Sequence, residues 1–176
     1  VKKTFLLLLI TIFLSGCNRD DNKNNTLPPP TQTGVGTFAC YVNGKAFVDK
    51  SSRAPAYYQL VDGGYYFAIG GEIKKNMSNG LWVIHIGTEN KAISENEILT
   101  LVKREVGNAW GGGFSSPFDY YPFSETNSEY TGELTITKLD FEKRIVSGTF
   151  WFDLKSPRTG ERIEIREGRF DTLFTM

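Results

Sequence analysis

From Thr37 onward the apolar positions come in short runs, many alternating with polar ones, and turn dipeptides separate the runs. A period of two places successive side chains on opposite faces of a strand. Phe38 to Val42 meets Asn43-Gly44 and continues from Lys45 to Val48. This predicts a hairpin with a type I′ turn, because both turn residues tolerate positive φ. Tyr57 to Val61 and Tyr65 to Ile73 flank Asp62-Gly63-Gly64 and predict a second hairpin. Leu81 to Ile86 is a continuous apolar run, as expected of a strand covered on both faces. Ile98 to Val102 predicts another strand. Ser94-Glu95-Asn96-Glu97 before it has the form of a helix cap, on a segment too short to decide between helix and turn.

The last third alternates most clearly. Leu134 and Ile136 share one face. Val146, Phe150, Phe152 and Leu154 share another, with Gly148 in phase, while Trp151 and Asp153 point the opposite way. Ile163 and Ile165 face inward between charged neighbours, and Glu167-Gly168 marks a bulge or break before Arg169 to Phe174. No amphipathic helix follows Cys17. About nine or ten short strands with frequent turns predict an all-β fold. An antiparallel β-sandwich is the expected architecture and a small β-barrel the alternative.

Between these runs, residues 107–127 read as a long loop rich in Gly, Ser and aromatics. Long loops in compact domains tend to carry function. Trp110, Phe114, Phe118, Tyr120 and Tyr121 are its candidate binding residues, since aromatic rings offer flat apolar faces with polar handles to sugars or proteins. The other reading makes the same rings a satellite core closing one end of the sandwich. Gly111-Gly112-Gly113 lacks the Lys-Ser/Thr and the helix of a phosphate cradle, and reads as flexible loop.

The N-terminus has a different texture. Lys2 and Lys3 precede the apolar run Phe5 to Phe13, which is far shorter than the roughly 20 residues of a membrane-spanning helix and has the order of a signal peptide. The run ends Leu14-Ser15-Gly16-Cys17. This resembles the lipobox of bacterial lipoproteins. The resemblance implies cleavage before Cys17, lipidation of its thiol and stable anchoring by acyl chains. Asn18 rather than Asp follows the cysteine, so the usual inner-membrane retention signal is missing. Arg19-Asp20-Asp21 resembles the surface-export signal of lipoproteins in one large group of Gram-negative bacteria, and equally suits a merely soluble linker. Residues 18–36 are polar and contain Pro28-Pro29-Pro30, which predicts a disordered tether with a polyproline II stretch. The expected organisation is a signal peptide over 1–16, a lipidated flexible tether over 17–36 and a single β domain over 37–176.

Composition narrows the function classes. The chain carries 20 Lys and Arg against 20 Asp and Glu, with no basic stretch, so nucleic-acid binding has no electrostatic support. Cys17 and Cys40 are the only cysteines, and lipidation of the first leaves the second without a disulfide partner. Cys40 lies in a strand-like run, where a buried small residue is the plainer reading than a reactive thiol. His85 is the only histidine and sits in an apolar strand. No nucleophile-elbow motif or metal-ligand spacing accompanies it, so no triad, metal or cofactor is expected. Glu125, Glu129, Glu133, Asp140, Glu142 and Asp153 could supply an acid/base pair, but sequence places no two of them at a working distance.

Phe38 to Phe47, Gly132 to Thr137, Ile145 to Phe152 and Glu167 to Asp171 together resemble an uncharacterised lipoprotein family of Gram-negative envelopes, over about residues 37–175. The resemblance implies a β domain on the cell envelope and supplies no activity. Asp171-Thr172-Leu173 resembles the short O-glycosylation acceptor of the same bacterial group, with Thr172 as acceptor. The expectation is a non-enzymatic outer-membrane or cell-surface lipoprotein, held to the membrane by its lipid anchor, that binds a ligand, glycan or envelope protein. The rivals are a structural or accessory subunit of an envelope complex and a carboxylate-dependent glycan hydrolase.

Overall fold

The computed structural model describes residues 25–51, 55–73, 83–114, 124–157 and 159–176. They form eleven strands and no helix: β1 (Thr37–Val42), β2 (Lys45–Val48), β3 (Ala56–Val61), β4 (Gly64–Glu72), β5 (Val83–Thr88), β6 (Ile98–Leu101), β7 (Ala109–Phe114), β8 (Ser124–Glu125), β9 (Gly132–Asp140), β10 (Ile145–Lys155) and β11 (Arg162–Thr175). Both turn dipeptides act as their chemistry dictates. Asn43 and Gly44 take φ of 49° and 75° between β1 and β2, and Asp62 and Gly63 take 49° and 80° between β3 and β4. Two consecutive positive φ values are the backbone of a type I′ turn.

One mixed sheet of eleven strands results, made of two antiparallel parts, called the first and second sheets. The first runs β6-β9-β10-β11-β1-β2 and the second β3-β4-β5-β7-β8. They meet at two short parallel seams. Leu101 of β6 pairs with Ala109 of β7, and Phe174 and Thr175 of β11 pair with Ala56 and Tyr57 of β3. The seams join β3, β4, β5, β7, β6, β9, β10 and β11 into one hydrogen-bonded circuit. The sandwich and barrel expectations therefore meet in one object: antiparallel faces with barrel-like closure at their edges.

The alternating residues fill the space between the sheets. Phe38, Phe150, Phe152 and Phe170 come from the first sheet, and Phe67, Ile69, Ile84 and Ile86 from the second. Phe67 and Phe170 meet across the interior with ring centroids 6.2 Å apart. Each such side chain contributes roughly 1.5–3 kcal/mol by leaving water.

Three expectations change. Residues 107–127 are not one loop, because β7 and β8 lie within them. Gly111-Gly112-Gly113 is not flexible loop but buried strand, with Gly111 directly beneath Phe152. A Cβ on Gly111 would stand 3.1 Å from three atoms of that ring, so the ring of one sheet rests on bare backbone of the other. The choice left open at Ser94 to Glu97 falls to a turn. Ser94 N–H donates to Glu97 Oε2 at 2.8 Å in the manner of a capping box, but Asn96 at φ 65° leads straight into β6.

The third change concerns residues 25–36, expected as free tether. They form a strap on the first sheet. Asn25 Oδ1 accepts from Ala46 N–H at 2.7 Å, and Gln32 Nε2 donates to Thr137 O at 3.0 Å. Asp171 gathers the rest. Its carboxylate accepts from Thr31 Oγ1 (2.6 Å), Thr33 N–H (2.9 Å), Gly34 N–H (2.7 Å) and, from β10, Ser147 Oγ (2.8 Å). Gly34 stands at φ 77°, which turns its N–H toward the carboxylate. Burial alone would raise the Asp171 pKa, but these hydrogen bonds outweigh it and hold the carboxyl below its ordinary range.

Candidate functional site

β9, β10 and β11 lie side by side, and their outward residues form rows. Glu133 is the cross-strand partner of Trp151, and Thr149 stands between Thr135 and Arg169. Opposite Trp151 the ladder breaks. Phe150 pairs with Gly168 and Phe152 with Ile165, so Arg166 and Glu167 together face the single residue Trp151. Glu167 takes φ 50° to make room. This is the bulge expected at Glu167-Gly168.

The bulge opens a hollow of about 300 Å³ on the outer face of the first sheet. Glu133, Thr135, Thr149, Trp151, Glu167 and Arg169 line it, and Pro30 of the strap forms one wall. Pro30 is held there because Arg169 Nη1 donates to Pro28 O at 3.1 Å. Trp151 is 40% exposed and is braced by Arg166, whose guanidinium carbon lies 5.6 Å from the ring centroid. Arg166 is itself fixed by Asp153 at 2.7 Å and Glu164 at 3.1 Å. A planar apolar face is thus held open to solvent beside a carboxylate and two hydroxyls.

The expected site residues are distributed differently. Cys17, Arg19, Asp20, Asp21, Phe118, Tyr120 and Tyr121 lie outside the described residues. Trp110 is on β7 rather than a loop and is only 6% exposed. Its indole lies over Gly87 and under the Arg104 guanidinium, 4.5 Å from the ring centroid, which leaves it little surface for a ligand. Phe114 closes β7 at 37% exposure, edge-on to the His85 ring at 6.4 Å. Thr172 is 4% exposed and pairs with Val146 inside the sheet, so the folded domain closes it to a glycosyl group.

His85 is a packed strand residue, as its surroundings in the sequence suggest. It stands between Gly70 and Gly112 in register and lies so close over Gly70 that a Cβ there would be 2.4 Å from Nδ1. Burial pushes its pKa down. With Asp49, Ser51 and Glu72 it lines a second hollow, of about 370 Å³. Asp49 there is occupied by the Ser51 and Glu72 backbone N–H groups, at 2.7 and 3.4 Å. Cys40 is fully buried, and burial drives its thiol pKa far upward, which makes it an inert core residue.

Of the six carboxylates considered as acids or bases, only Glu133 reaches the hollow. Asp153 is bound by Arg162 and Arg166, and Asp140 accepts the Lys143 N–H in the β9–β10 turn. Glu125 lies on the second sheet, where burial raises its pKa against the pull of Arg104. Among the described residues no group of three or more His, Cys, Asp or Glu could hold a metal ion, and no helix is long and apolar enough to cross a membrane.

The hollow was not anticipated. Its one sequence signal was Trp151 on the solvent side of an alternating strand, next to a bulge dipeptide on the neighbouring one. No protein-family model, curated protein or solved structure matches the chain. The family resemblance drawn from residues 37–175 has no counterpart among these comparisons.

Proposed function

We propose that this chain is a lipid-anchored binding module of the bacterial cell envelope whose β domain takes a saccharide in the hollow around Trp151. The observation that carries the reading is a solvent-open indole fixed among unengaged polar groups. Sugars bind through their C–H faces on aromatic rings and through hydroxyls on nearby acceptors and donors. Trp151 supplies the first, and Glu133, Thr135 and Thr149 supply the second. Leu14 to Cys17 and the polar stretch after it support the anchor, and Arg19-Asp20-Asp21 supports a place at the outer membrane or cell surface.

The test is a glycan array probed with the full chain in detergent, with and without Trp151→Ala. Binding to a defined set of glycans, lost in the variant while the thermal midpoint holds, is the expected result. Retention of every signal in the variant would remove the hollow from consideration. Protease shaving of palmitate-labelled cells tests the location. Cleavage on whole cells puts the domain outside, and protection until the outer membrane is breached puts it in the periplasm.

A second reading, a structural or accessory subunit of an envelope complex, draws on a different surface. Phe141, 53% exposed, lies tilted against Tyr58 and edge-on to Phe174 with centroids 5.8 Å from each, and Tyr65 stacks on Tyr58 at 5.4 Å. Phe141 and Tyr65 face solvent over the buried Tyr58 and Phe174, and exposed rings on such a base suit protein contacts. Stable recovery in one envelope complex, lost with Phe141→Glu and untouched by Trp151→Ala, would favour it.

A further inference from the structure

The charges around the hollow are unevenly engaged. Arg169 has little left to offer a ligand. Its Nη1 donates to Pro28 O, its Nε and Nη2 donate to Glu167 O at 3.2 and 3.1 Å, and Nη2 also reaches Glu167 Oε2 at 3.5 Å. Arg166 is equally occupied, by the Asp153 and Glu164 carboxylates and by the Phe152 and Ile165 carbonyls. Glu133 differs. It is half-buried beside Trp151, and its side chain makes no hydrogen bond or ion pair with any described residue. Among the charges that line the hollow, its carboxylate is the one that no described residue pairs.

An anionic ligand would meet that carboxylate with no uncommitted guanidinium to offset it. A cationic one would meet the carboxylate and, directly across the strand pair, an indole. Both attract an ammonium group, by ion pairing and by the ring's negative face. At about 300 Å³ the hollow sits at the small end of ligand sites, with room for a sugar unit rather than a long chain segment. Resting on the saccharide reading above, we propose that the ligand is a sugar bearing a protonated amine, a hexosamine without its N-acetyl group, with the ammonium on Glu133 and a pyranose face on Trp151.

The experiment is calorimetric titration of the full chain in detergent, at mildly acidic pH, with a glucosamine oligosaccharide, its N-acetylated counterpart, an oligogalacturonate and a simple diamine. The glucosamine oligosaccharide should bind about fivefold or more tighter than the acetylated one, the effect expected of one partly exposed ion pair. The oligogalacturonate and the diamine should be weakest. Glu133→Gln should erase the preference, lowering affinity for the glucosamine form more than for the acetylated one, Glu133→Lys should shift it toward the galacturonate, and Trp151→Ala should weaken every sugar. Equal affinity for the two glucosamine forms overturns the amine inference and leaves the saccharide reading standing. A diamine that binds as tightly as the glucosamine oligosaccharide overturns the sugar in it, and a preference that survives in both folded Glu133 variants overturns the role of Glu133. Absence of binding by all three sugars overturns the amine inference, and the glycan array then decides the saccharide reading by itself.

Discussion

Thr31 Oγ1 and Asp171 Oδ2 are 2.6 Å apart and 140 positions apart in the chain. That bond and its neighbours convert the segment ahead of β1 from a leader into part of the sheet's outer layer. Asp171 sits buried on β11 with every near partner a donor, so its charge draws Thr31, Thr33 and Gly34 of the strap onto the sheet.

Asp171→Ala should therefore cost about 2–3 kcal/mol, the penalty of stranding several donors and losing charge-assisted bonds. The sign with pH is set by a folded pKa below the unfolded one. The stabilisation is complete above the ordinary carboxylate range and is lost as pH falls through the depressed value. Urea midpoints measured down a pH series should show wild type and Asp171→Asn converging in acid, and parallel curves would show that the carboxylate is not the group responsible.

Gly71 tests the close approach of the two sheets. A Cβ there would stand 2.4 Å from Phe38 Cδ1, and Phe38 is fully buried. Gly71→Ala should cost about 1–3 kcal/mol as an overpacked core position. Thermal denaturation of Gly71→Ala should fall well below that of Gly63→Ala, which meets open space and pays only for its φ of 80°.

Cys40 should be unreactive in the native protein. Its thiol is buried and its pKa is pushed far up, so thiolate forms only on opening. Alkylation of the Cys40 peptide, followed by mass spectrometry, should track denaturant-induced unfolding. Labelling at the rate of a free thiol in native buffer would contradict this packing.

Asn43 joins two roles that a substitution can separate. It holds φ 49° in the first hairpin, and its Oδ1 accepts from Glu164 N–H at 2.8 Å while its own N–H donates to Glu164 O at 2.9 Å. Asn43→Gly keeps the turn and loses the side-chain bond, at about 1 kcal/mol. Asn43→Val loses both and should cost more, because a β-branched residue resists positive φ. Equal unfolding midpoints for the two variants would assign the residue to the bond alone.

What could be read from the sequence follows from what side chains advertise. The hairpins at Asn43-Gly44 and Asp62-Gly63 were legible because their residues specify a backbone angle. The inward face of β10 was legible because Val146, Phe150, Phe152 and Leu154 repeat at two. β7 was not, since a strand built on Gly111, Gly112 and Gly113 has no alternation to show, and its need for glycine comes from Phe152, forty-one positions later. The strap was illegible for a related reason: Thr31, Thr33 and Gly34 are ordinary linker residues until Asp171 is beside them. The hollow was half legible. Trp151 was visibly on the solvent side, but its neighbours Glu133 and Arg169 come together only through the register of three strands.

The same strap decides how a pull on the chain would be borne. Tension arriving from ahead of residue 25 does not first reach the end of β1, where it could peel that strand from its neighbour one bond at a time. It meets the bonds that Asn25 makes at the β1–β2 hairpin, then Arg169, then the carboxylate of Asp171, which lies on the strand that pairs with β1, β3 and β10 alike. Load would pass from that edge hairpin into the middle of the sheet, and the domain would be held at its centre as well as at its hem.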